Sequence, residues 1–142
     1  MTYTHLLFDH DGVLVNTEPL YLQAIQEQLA TLGIALRETD YLQNMAVGAD
    51  PWALASAAGC DEATVDQLRD ARDARYQQLL STRPITIAGV DDLIAELAKH
   101  FQLAIVTTSR DVDFDLIHAL DGQPRTSATP DVVRHMGFIL TR

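Results

Sequence analysis

Two carboxylates two residues apart, Asp9 and Asp11, follow the apolar run Leu6-Leu7-Phe8 in the segment Phe8-Asp9-His10-Asp11-Gly12-Val13-Leu14-Val15-Asn16-Thr17-Glu18. Side chains alternate along an extended backbone, so residues two apart point to the same side. A strand apolar at successive positions is typical of a parallel sheet buried on both faces. Such sheets place their ligands at the carboxyl ends of their strands. The spacing therefore predicts two acids side by side at a sheet rim. That pair is costly unless a cation neutralises it or one member keeps its proton. Hard oxygen donors in low number suit Mg2+, which retains waters and recruits phosphate oxygens. Gly12 then permits a close backbone approach to a ligand, or an unusual turn.

A second polar group follows a second apolar run. Leu103-Ala104-Ile105-Val106 leads into Thr107, Thr108, Ser109 and Arg110. The amides of a following helix start are available to anions beside those hydroxyls, although hydroxyls in such places commonly serve just as helix caps. Arg110 is read as a surface residue. His10 lies between the two acids, where alternation turns it away from them, and is read as structural. The five histidines, at positions 5, 10, 100, 118 and 135, show no ligand spacing.

The elements that must position these groups are legible in outline. Strands are expected over Tyr3–Phe8, Gln102–Thr107 and Gly137–Thr141. Thr17 can cap a helix with Pro19 in its first turn, Leu22, Ile25, Leu29 and Leu32 on one face, and Gly33 as its stop. Asp50-Pro51 opens a short helix from Trp52 to Ala58. Asp61 opens a longer one bearing Val65, Leu68, Tyr76 and Leu79, and a further helix spans Val90–His100. A crossover between parallel strands needs only about a dozen residues. The much longer interval here implies an inserted helical module. The expected division is a core of residues 1–15 and 84–142 with a helical insert over 16–83. Residues Asp121–Asp131 read as a loop.

Composition narrows the function. Ten basic against twenty acidic residues in 142 give a formal net charge of −10, which disfavours nucleic acid and anionic membranes as partners. A small phosphorylated metabolite remains possible, because a bound divalent cation reverses the local field. Cys60 is the sole cysteine, so neither an internal disulfide nor a thiolate zinc cluster is available. Without a signal sequence or a spanning apolar run, a cytoplasmic setting is expected.

The segment from Phe8 to Glu18 resembles the first motif of the haloacid dehalogenase superfamily. The likeness is to the subgroup with a helical cap inserted just after that motif, which includes phosphoglycolate phosphatase-like and β-phosphoglucomutase-like enzymes. The resemblance implies an α/β fold, with a Rossmann-like parallel sheet and an inserted α-helical cap. It implies a magnesium-dependent phosphatase acting on a small phosphate monoester through an aspartyl-phosphate. Asp9 would be the nucleophile and Asp11 the acid/base. Mg2+ would be held by the Asp9 side chain and the Asp11 main-chain carbonyl. Gly12, Thr107, Thr108 and Ser109 would contact phosphate, Thr107 foremost, and Ala88-Gly89-Val90 resembles the family's entry into the second strand. Residues Gly137–Arg142 are similar to the next core strand. The family's lysine and remaining acidic metal ligands come after that strand, so the core is expected to be incomplete at its C-terminal side, with Lys99 no substitute. A sugar phosphomutase of the same family is the alternative. It is weakened by Tyr21 near the place of a mutase histidine, and by Ala49-Asp50 after Gly48. An inactive fragment or interaction module is the other.

Overall fold

The computed structural model describes residues 3–119 and 129–142, so most of the expected 121–131 loop lies outside the described residues. The chain divides into two compact units, Met1–Glu18 with Leu80–Arg142, and Pro19–Leu79.

The first unit is α/β. Strands β1 (His5–Phe8), β2 (Gln102–Val106) and β3 (Met136–Leu140) form a parallel sheet in the order β1-β2-β3. The register pairs Leu6 with Leu103 and Phe8 with Ile105, while Ile105 also pairs with Ile139. These alternate positions share one face. They pack with Leu14, Ile94, Phe114 and Val132 into a single apolar core. The intervening positions Leu7, Val106, Phe138 and Leu140 are exposed. All three strands are displaced or shortened by a residue or two relative to expectation, the usual uncertainty of element ends.

Helix order follows the sequence signals, with three differences. Helices α1 (Glu18–Ala30), α2 (Glu38–Ala46), α3 (Ala53–Ala57) and α4 (Glu62–Thr82) precede α5 (Val90–Leu97) and α6 (Asp111–His118). Leu22, Ile25 and Leu29 of α1 are buried, but Leu32 lies past the helix end and is exposed. Gly33, at φ 73°, takes the left-handed conformation that suits a helix stop. Helix α2 was not expected, and it begins without a side-chain cap; Tyr41 is its one buried residue. Helix α5 ends three residues early, at Leu97.

The core of the second unit gathers Leu22, Ile25, Leu29, Leu36, Tyr41, Trp52, Ala55 and Val65, with Cys60 packed against it. Asp61 caps α4 as expected, its Oδ1 accepting from the Thr64 amide at 2.8 Å. Among the described residues, no helix is long and apolar enough to cross a membrane.

Candidate active site

The turn after β1 is built by its own backbone. The His10 carbonyl accepts from the amides of Val13, Leu14 and Val15, and the Gly12 amide donates to the Val15 carbonyl at 2.8 Å. Gly12 sits at φ 72°, a region open to glycine but strained for most other residues. The Asn16 amide then donates to the Ile85 carbonyl at 2.7 Å, tying the turn to the segment that leads into α5.

Asp9 and Asp11 differ sharply in surroundings. Asp9 is exposed, and its Oδ1 accepts from the His10 amide at 2.7 Å. Asp11 is held on both oxygens. Thr17 Oγ1 donates to its Oδ1 at 2.6 Å, and the Ser109 hydroxyl donates to its Oδ2. Burial by itself would raise the Asp11 carboxyl. The His10 ring and the Ser109 and Thr17 hydroxyls beside it outweigh that effect and lower the pKa from 3.8 to about 2. Asp11 is a carboxylate at rest.

The residues after β2 fold into a second turn. Thr107 is buried, its amide bound to the Leu140 carbonyl and its Oγ1 accepting from the Ser109 amide at 3.1 Å. Thr108 is exposed, while Ser109 reaches the first turn directly. So among the predicted residues Asp11 and Ser109 are joined, Asp9 and Gly12 share the Asp11 turn, and Thr107 supports Ser109. Arg110 forms a two-pronged pair with Asp113, Nε to Oδ2 at 2.9 Å, at the start of α6.

Two residues acquire roles that sequence reasoning missed. Thr17, read as a helix cap, points its hydroxyl at Asp11; an acid six residues upstream was the available signal. His10 is fully buried, as a structural residue should be, yet its Nδ1 lies 3.4 Å from Asp11 Oδ2. Alternation failed to turn it away because the turn begins there and breaks the extended backbone on which the rule depends.

The donor chemistry suits magnesium. One exposed carboxylate and a neighbouring main-chain carbonyl are hard oxygen ligands of the number Mg2+ takes from protein when substrate and water supply the rest. Among the described residues no cluster of three or more His, Cys, Asp or Glu could hold a metal by itself. Lys99 follows α5 at the amino end of β2, opposite the site, where it pairs with Glu96 at 2.5 Å.

A separate cavity of about 310 Å3 lies within the helical unit, lined by Tyr21, Tyr41, Trp52, Asp50, Arg69 and Arg72 among others. The Arg72 guanidinium lies 4.8 Å from the Tyr21 ring centroid and 5.9 Å from that of Trp52. Arg69 is paired with Asp50 and Asp66.

The family described as haloacid dehalogenase-like hydrolase matches residues 6–118, and the chain belongs to that family. An uncharacterised protein from the fgs 3′ region of Lacticaseibacillus casei is 32% identical over 125 residues, covering 86% of this chain and 57% of that protein. Among solved structures, a provisionally assigned phosphoglycolate phosphatase from Lactobacillus plantarum superposes with a TM-score of 0.70 at 20% identity, covering 99% of this chain and 62% of its own. A magnesium-bound hydrolase of the family from Bacillus subtilis gives 0.66 at 18%, covering 99% and 66%. These likenesses establish a shared α/β fold. The chain spans about three-fifths of the length of the relatives it matches.

Proposed function

We propose that this chain carries the nucleophile and acid/base of a phosphatase acting on a small phosphate monoester. The observation that supports it is the contrast between the two acids. Asp9 is exposed and free to meet a substrate, whereas Asp11 beside it is held in place by Thr17 and Ser109. A nucleophile needs access, and an acid/base needs a fixed position.

An Asp9 oxygen attacks phosphorus, and the bond from phosphorus to the leaving oxygen breaks. Asp11 donates its proton to that oxygen. Water then attacks the aspartyl-phosphate, yields a proton to Asp11, and releases phosphate while regenerating the Asp9 carboxylate. Asp11 rests as a carboxylate, so it must gain a proton as substrate binds. A phosphoryl dianion alongside disfavours its charged form and drives that uptake. Asp9 and the Asp11 carbonyl would hold Mg2+, which supplies charge neutralisation for the phosphoryl oxygens. Ser109 and the main chain near Gly12 and Thr108 would contact phosphate, with Thr107 holding the Ser109 turn.

Magnesium-dependent hydrolysis of p-nitrophenyl phosphate tests this reading. Asp9→Asn should abolish turnover and the covalent phosphoenzyme. Turnover that survives this substitution would overturn the assignment. Beryllofluoride, which mimics the acyl-phosphate, should bind the unaltered chain and not the variant.

A further inference from the structure

Behind Asp11 lies a feature that this chemistry does not use. His10 and His118, 108 residues apart and both fully buried, meet Nε2 to Nε2 at 2.8 Å. Phe114 packs against both rings, with centroids 4.7 Å from His10 and 4.5 Å from His118. Between two ring nitrogens, one must carry the hydrogen and the other the lone pair.

The far side of His10 decides which. Its Nδ1 is buried, has no hydrogen-bond partner, and faces Asp11 Oδ2 at 3.4 Å. A bare Nδ1 there would set a lone pair against a carboxylate. An Nδ1–H turns the same contact attractive. In a neutral ring Nε2 is then the acceptor, so His118 Nε2 must be the donor. Helix α6 thus connects to Asp11 from both ends: through Ser109, two residues before its first, and through His118, its last, by way of His10.

We infer that His118 is a positioning residue: its Nε2–H fixes His10 as the Nδ1–H tautomer, keeping a third donor trained on Asp11 beside Thr17 and Ser109. The consequence for turnover rests on the phosphatase reading; the tautomer does not.

Long-range 15N–1H NMR of the labelled 142-residue chain near neutral pH reads both rings directly. His10 should show the Nδ1–H pattern and His118 the Nε2–H pattern. An Nε2–H or doubly protonated His10 in the unaltered chain overturns the inference, whatever any variant does. His118→Gln, whose amide retains a donor, should keep the His10 pattern, and His118→Phe should release it. With p-nitrophenyl phosphate, His118→Phe should lower kcat about tenfold at unchanged KM, and His118→Gln should restore it to within about twofold, the scale on which orienting partners act. Unchanged kcat in His118→Phe overturns the positioning role. The expected tautomers in a chain that neither turns over nor binds beryllofluoride sink only the phosphatase reading, and turnover with an Nε2–H His10 sinks only this one.

Discussion

The two units bury different chemistry. In the α/β unit His10, Thr17, Thr107, Asp113 and His118 are all buried. Among the described residues of 19–79, the buried side chains are aliphatic or aromatic, and the ion pairs Arg37–Asp40, Arg69–Asp66 and Arg75–Glu27 lie at the surface. An unsatisfied buried polar group costs about 1–3 kcal/mol, so a domain held together for stability alone has little reason to gather them. Four of the five take part in the turns or contacts around Asp11 and Ser109; the fifth, Asp113, pairs with Arg110 at the adjoining helix start. The fully buried polar groups of the α/β unit thus gather around Asp11 and Ser109, while those of the helical unit stop at the half-buried Arg72–Asp73 pair.

That contrast can be broken most directly at Asp11. Asp11→Ala removes the shared acceptor of Thr17 and Ser109, and kcat/KM for p-nitrophenyl phosphate should fall about 1,000-fold. A loss below tenfold would mean that the buried polar cluster serves folding. In the helical unit Ile25→Ala should instead cost about 3 kcal/mol in urea unfolding through lost apolar burial and the cavity left behind. Intact stability there would refute the packed core.

A smaller effect tests the donors. Ser109→Ala should cost about 1 kcal/mol of stability at neutral pH. Because the folded Asp11 value, about 2, lies below the ordinary 3.8, its contribution is complete above that ordinary value. It is lost as pH falls toward about 2. Urea midpoints across that window should drop less steeply in Ser109→Ala than in the unaltered chain; equal slopes would show that Ser109 does not stabilise the carboxylate. Smallest of all, Glu27→Gln, which breaks the Arg75 pair on the helical unit, should shift stability by about 0.5 kcal/mol and less in high salt. A larger, salt-insensitive change would show that this unit too depends on a buried charge network.

Local chemistry in the chain was enough for several features. Asp9 and Asp11 after an apolar run, Gly33 as a helix stop, Asp61 as a cap, and the interval separating β1 from β2 each act within a few residues or through simple chain length. Helix α2 escaped notice because it is short and no side chain caps its start, Arg37 standing at the N-cap.

Only the tertiary structure could decide that Ser109 reaches Asp11 across 98 residues, or that His118 meets His10 across 108. Periodicity reports which face of an element is apolar. It carries no information about which distant polar groups converge once parallel strands and α6 are packed, and a buried polar atom takes its partner from that packing.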